Sequence, residues 1–246
     1  MTLNEPEIYP FITTDLSDRD CLVLAPHPDD ESIGCGGSII RHVKRGSRVK
    51  VIFLTSGDKG DFEQVFGENY TGKRRDSAMQ ALSVLGVVEF EFLDFNDRGL
   101  YQVKDEALVR VREAVESFRP GLIYVPSPFE AHPDHRTASD IGMELYNESG
   151  IDTAFYEVLM PLYPNILVDI SGVYESKETA LKCYDTELYY NEYVSLAEGL
   201  NRVRTATLGA EIRYAEAFVL FNEEYREGRS CRLVREIIKI RTAGLR

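Results

Sequence analysis

The segment CLVLAPHPDDESIGCGG, residues 21–37, changes character at Pro26. Ahead of it runs an apolar stretch, Cys21 to Ala25, with the length and composition of a buried strand. Behind it come His27, Asp29, Asp30 and Glu31, then a glycine-rich turn and an amphipathic run from Ile39. The order is therefore strand, loop, helix start. Three carboxylates crowded behind a buried strand repel one another and lose hydration, so the loop calls for a cation. A second string, AHPDHR, places His132, Asp134 and His135 after another apolar run, Gly121 to Pro126. The chain has 4 histidines, and all but His42 sit in these two loops. A metal centre built from both loops accounts for that concentration.

Outward from these loops, 49–55 (VKVIFLT), 89–93 and 122–126 read as further strands. Helical spacing covers about 35–45, stopped by Gly46, and 74–85, stopped by Gly86. It recurs from Val103 through Ala107, Leu108, Val111, Val115 and Phe118 to the stop before Pro120, and again over 137–146. Strand and helix thus alternate four times, which predicts an α/β, Rossmann-like doubly wound fold: a mostly parallel sheet with helices on both faces. In the strand order 3-2-1-4-5, ligands bind beyond the carboxyl ends of strands one and four, where both histidine loops emerge. Residues 56–72, rich in glycine and acid, are a candidate active-site wall or lid.

Past residue 150 the pattern is less regular. Strands are expected at 155–159 and 166–170, and helices at 172–184, 194–205 and 229–240. The cluster Tyr184, Tyr189, Tyr190 and Tyr193 reads as core or subunit-interface packing, ahead of stacking on a sugar ring or closing over the site. Residues 1–19 read as an N-terminal extension. No linker or repeat divides the chain, so one domain over 1–246 is expected.

Composition narrows the function. A chain of 246 residues, 43% hydrophobic and 28% charged, is ordinary for a soluble globular protein. A net charge of −13 opposes a nucleic-acid partner, whose binding needs a basic face. No run of about 18 apolar residues exists to span a membrane, and MTLNEPEIYPF lacks the basic and apolar regions of a secretory signal. Cys21, Cys35, Cys183 and Cys231 show no CxxC spacing, so reduced thiols and a cytoplasmic setting are expected.

Two imidazoles and a carboxylate leave an open tetrahedral position, the pattern of a catalytic zinc site. Water there has its pKa lowered to about 7. Neighbouring Asp29 and Asp30 cannot easily serve the same ion, so one ligates while the other takes a proton. The spare histidine, oriented by a carboxylate such as Asp134, can stabilise an oxyanion or protonate a leaving amine. Together these groups make a hydrolase for an amide. A two-metal phosphoesterase would need a second ligand set about 3.5–4 Å away, and no further cluster supplies one. A non-catalytic sugar- or metal-binding protein would dispense with the base or the acid. GCGG approaches a dinucleotide fingerprint, but the carboxylates ahead of it would repel a pyrophosphate. Gly36 and Gly37 are expected to allow close helix–sheet packing, Cys35 to be packed, and His42 to be a solvated surface residue.

APHPDDESIGCGG and AHPDHR closely resemble the motifs of the PIG-L/LmbE-like zinc N-deacetylases. FLDFNDRGLY around Asp97 and YAEAF near the C-terminus are also similar to segments of that family. The resemblance implies one zinc ion per chain held by His27, Asp30 and His135. It implies Asp29 as general base and His132, with Asp134, as acid or oxyanion stabiliser. Substrate contacts fall to Arg74, which fits better than Arg75, and to Glu31, Asp97 and Glu130. Glu31 is also placed to accept backbone N–H groups at the helix start. Some members carry a tyrosine where this chain has Glu130. The implied reaction removes acetyl from an N-acetylated amino sugar or N-acetylglucosaminyl conjugate, with an amidase for a larger N-acyl group as alternative. The resemblance also suggests a homo-oligomer.

Overall fold

The computed structural model describes residues 5–227. In chain order these form α1 (Glu5–Ile8), β1 (Cys21–Ala25), α2 (Asp30–Arg45), β2 (Val49–Thr55), α3 (Tyr70–Leu85), β3 (Glu89–Phe95), α4 (Lys104–Phe118), β4 (Leu122–Pro126) and α5 (Pro133–Ser149). There follow β5 (Asp152–Tyr156), β6 (Ile166–Asp169), α6 (Tyr174–Leu181), α7 (Asp185–Tyr190), α8 (Tyr193–Val203), β7 (Ala215–Phe221) and α9 (Glu223–Arg226). The expected helix over 229–240 lies outside the described residues.

Every residue of β1 is buried, because helices cover both faces of the sheet. Cys21, Val23 and Ala25 join one apolar layer with Ile39, Val51, Leu82 and Tyr124. Leu22 and Leu24 join the opposite layer with Ile52, Leu108, Ile123 and Ile141. The two-residue period of a strand sorts them this way. The sheet has 7 strands in the order β3-β2-β1-β4-β5-β7-β6. The expected doubly wound order is therefore present, and the contacts from β3 to β5 are parallel. YAEAF belongs to β7, which runs antiparallel between β5 and β6.

Helix α2 starts at Asp30, five residues earlier than its periodicity suggests, and breaks at Cys35 (φ −141°, ψ 19°). The break frees polar groups that a continuous helix would pair. Glu216 Oε1 and Oε2 accept the N–H groups of Gly37 and Ser38 at 2.8 Å each, while Lys177 Nζ donates to the Ile33 carbonyl at 2.8 Å. The acid thus caps the N-terminal end of the second segment and the base caps the C-terminal end of the first, each matched to the local dipole. Close packing needs glycine here: a Cβ on Gly37 would lie 2.6 Å from Ile170 Cγ2.

His42 is a correction. It is fully buried, with Nδ1 2.8 Å from the Arg19 carbonyl oxygen and Nε2 3.0 Å from the Tyr124 hydroxyl. It shares the inward helical face with Cys35, Ser38 and Ile39, and helical spacing from those residues was the available signal.

Candidate active site

Because β1 and β4 are neighbours, their carboxyl ends deliver His27 and His135 to one place across 108 residues of sequence. His27 Nδ1 lies 3.2 Å from His135 Nε2 and 3.3 Å from Asp30 Oδ2, and His135 Nε2 lies 3.2 Å from Asp30 Oδ2. Tetrahedral bonds of about 2.0–2.1 Å set ligand atoms about 3.3–3.4 Å apart. The triangle therefore has the size of one face of a zinc tetrahedron. Behind the rings stand carboxylates of the kind that orient metal-binding histidines. His27 Nε2 is 3.2 Å from Asp97 Oδ1 and 3.4 Å from Asp134 Oδ2. His135 Nδ1, which has no hydrogen-bond partner, faces Glu130 Oε2 at 3.6 Å.

Asp29 points elsewhere. Its backbone φ of 138° is strained for a residue with a Cβ, and although it occupies the N-cap of α2, its carboxylate makes no cap bond. Glu31 Oε2 takes up the Asp29 N–H instead, at 3.2 Å. The Asp29 carboxylate is left in the cavity, 3.3 Å from Arg74 Nη2. Burial pushes its pKa well up against the opposing charge of Arg74. Burial acts on Asp30 in the same direction, yet the flanking His135 and His27 hold that carboxyl far below the usual range. Arg74 is itself buried and also donates to the carbonyls of Gly57 and Pro28, while Glu187 Oε1 sits 2.5 Å from its Nε.

His132 is the N-cap of α5, followed by Pro133 at the first helical position. Its Nδ1 accepts the Asp134 backbone N–H at 3.2 Å, so a neutral ring carries its proton on Nε2. Burial and the two neighbouring imidazoles push its pKa down to about 4. The expectation that the Asp134 carboxylate orients this ring is corrected. That carboxylate is 4.0 Å from His132 Nδ1 and instead accepts the N–H groups of Arg98 at 2.6 Å and Leu100 at 3.1 Å.

His27, Asp29, Asp30, His132 and His135 line one open cavity, together with Arg74 and Asp97. Glu31 and Glu130, expected as substrate contacts, do not line it. Glu31 is fully buried and bound to Ser32 Oγ and the Tyr184 hydroxyl. Glu130 is fully buried and accepts the N–H groups of Val158, Leu159 and Met160. Both serve main-chain donors because a dry carboxylate needs several.

The tyrosine cluster divides. Tyr184 is core, whereas Tyr190 and Tyr193 join Glu187 and Asn191 on the cavity wall, facing Phe62, Lys59 and Gly60 from the 56–72 segment. Glu187 was missed; its place among those tyrosines was the only signal.

Residues 22–146 match the family model described as GlcNAc-PI de-N-acetylase, PIG-L. A diacetylchitobiose deacetylase of Thermococcus kodakarensis is 32% identical over 69% of this chain and 70% of its own length. A conserved protein of Thermus thermophilus, of known structure, is 27% identical and superposes with a TM-score of 0.70 over 82% of this chain and 94% of its own. The N,N'-diacetylchitobiose deacetylase of Pyrococcus horikoshii shares the fold with the same TM-score, at 23% identity over 84% of this chain and 85% of its own. The chain belongs to the PIG-L de-N-acetylase family.

Proposed function

We propose that this protein removes the acetyl group from an N-acetylglucosaminyl conjugate, using one zinc ion held by His27, Asp30 and His135. The observation that carries the reading is the ligand triangle with its 3.2–3.3 Å edges, beside an aspartate that the same loop turns away from it. The looser set His27, Asp97, His132 and Asp134 shares His27, so among the described residues it is no independent second site for a phosphoesterase.

The chemistry divides among named atoms. A bound zinc ion supplies Lewis-acid polarisation of the amide carbonyl and a lowered water pKa. The Asp29 carboxylate accepts the proton of the attacking water, and Arg74 keeps that carboxylate aimed into the cavity. His132 Nε2–H donates to the oxygen that gains charge as the tetrahedral intermediate forms. As the C–N bond breaks, the sugar nitrogen takes the proton that Asp29 accepted and leaves as the amine, and acetate is the second product.

Cys21 and Cys35 are buried free thiols, which supports a reducing, cytoplasmic setting. No helix among the described residues is long and apolar enough to cross a membrane.

The test is metal content together with amine release. One zinc ion per chain and chelator-sensitive amine release from N-acetylglucosaminyl conjugates are expected. One ion with amine released only from longer N-acyl analogues would replace acetyl by a larger acyl group.

A further inference from the structure

Asp29 is held in a backbone conformation that a residue with a Cβ rarely adopts, φ 138° and ψ −31°. Its own carboxylate makes no cap bond to α2, so other groups hold it there. They do so at two points.

The first point is the main chain. The Asp29 N–H donates to Glu31 Oε2 at 3.2 Å. The other oxygen of Glu31 accepts the Ser32 hydroxyl at 2.6 Å and the Tyr184 hydroxyl. Glu31 and Tyr184 are both buried and neither lines the cavity, so water does not compete for these bonds and substrate does not reach them.

The second point is the carboxylate. Asp29 Oδ2 lies 3.3 Å from Arg74 Nη2, longer than the roughly 2.7–2.9 Å of a closed charge-assisted bond. Arg74 Nε faces Glu187 Oε1 at 2.5 Å, so the buried guanidinium is shared between two carboxylates. Thr186 Oγ1 donates to Glu187 Oε2 at 2.8 Å and fixes the other oxygen. Without Glu187 the whole charge of that guanidinium falls to Asp29, and the carboxylate is drawn onto it and away from the cavity.

Both supports lead to one place. Tyr184 is the N-cap of α7 and Glu187 lies in its first turn. Ser77 of α3 donates to Asp185 at 3.3 Å and so fastens the same turn to the neighbouring helix.

We propose that Tyr184 and Glu187 are positioning residues for Asp29: α7 holds the base by its main chain, through Glu31, and by its carboxylate, through Arg74. The proposal rests on the reading of Asp29 as the proton acceptor.

The experiment places Tyr184→Phe and Glu187→Gln in the wild type and in Asp29→Asn. Zinc content, kcat and KM for amine release, and amide hydrogen exchange across 27–33 are measured on the zinc-loaded proteins. Each single variant is expected to lower kcat about tenfold or more, the scale on which lost alignment acts, with zinc content unchanged and KM moved less than about twofold. In Asp29→Asn neither adds more than about a twofold loss, because the group they act through no longer takes a proton. Exchange across 27–33 is faster in Tyr184→Phe. Tyr189→Phe, which removes an exposed hydroxyl from the same helix, leaves all of these as in the wild type. Losses that multiply in full with Asp29→Asn, a loss of zinc, or an unchanged kcat in either variant would overturn the proposal. A wild type that releases no amine from any N-acyl sugar would overturn the deacetylase reading instead. Exchange then decides the positioning by itself: a faster rate in Tyr184→Phe upholds it, and an unchanged rate removes it.

Discussion

Lys177 Nζ and Glu216 Oε1 meet at 2.7 Å with both side chains fully buried, inside the break of helix α2. The pair joins three separate elements, since Lys177 comes from α6 and Glu216 from β7. Removing one partner leaves the other as an uncompensated buried charge, which costs about 3–5 kcal/mol. Lys177→Met is therefore expected to lower the stability to urea by about that amount. The double variant Lys177→Met/Glu216→Gln should recover part of the loss, because no buried charge remains. Denaturation midpoints of the wild type and the two variants check this. A double variant less stable than Lys177→Met would mean that relief of the unpaired charge is not what the pair contributes.

His42 makes stability depend on pH. Burial, ahead of the nearby charge of Arg19, pushes its pKa from 6.5 to about 4, despite the Arg19 carbonyl and the acids Asp15 and Asp18. The Tyr124 hydroxyl is its other polar neighbour. Between pH 4 and 6.5 the unfolded chain binds a proton at this residue that the folded one refuses. The contribution is thus complete above pH 6.5 and is lost as the pH falls toward 4. At about 1.4 kcal/mol per pH unit the total is about 3 kcal/mol. Urea midpoints of His42→Gln should accordingly fall less steeply than those of the wild type across this interval. Parallel profiles would remove His42 as the cause.

Apolar runs ending at Ala25, Thr55 and Pro126 were sufficient to place three parallel strands, because buried parallel strands leave a continuous hydrophobic signature, whereas their order was taken from the doubly wound fold type. The same order brought two distant histidine loops together on paper. What escaped was whatever depends on which way a polar side chain turns. Glu130 looks like a site residue by position, but it is drawn into the protein by backbone N–H groups that only the folded chain presents, whereas Glu31 accepts a backbone N–H at the helix start as its position suggested. His42 looks like a surface histidine between Arg41 and Lys44 until Arg19 and Tyr124 close over it. The antiparallel edge was equally hidden, since β7 pairs with β5 and β6 from a position late in the chain.

Glu130 links the 158–160 turn to His135, the proposed zinc ligand, 3.6 Å from its Nδ1. Losing the charge behind a metal-binding histidine typically weakens the metal about 10–100-fold. Glu130→Gln should show that loss in a zinc competition titration with a coloured chelator. Because Gln offers one acceptor oxygen to three backbone donors, a drop in thermal midpoint should accompany it. Unchanged zinc affinity with a lowered midpoint would confine Glu130 to holding the turn.

Asp29 and His135 separate chemistry from metal binding. Asn at position 29 keeps the side-chain length and a partner for Arg74 but cannot take a proton from water. Asp29→Asn is expected to hold zinc as the wild type does and to release amine about 10²–10⁴-fold more slowly, the usual contribution of a general base. His135→Ala removes one corner of the 3.2–3.3 Å triangle, so it should purify without zinc and show no amine release that added zinc restores at micromolar levels. Zinc content by atomic emission and initial rates on one substrate decide the matter. Equal zinc loss in the two variants would make Asp29 a ligand and return the proton-accepting role to another group on the cavity wall.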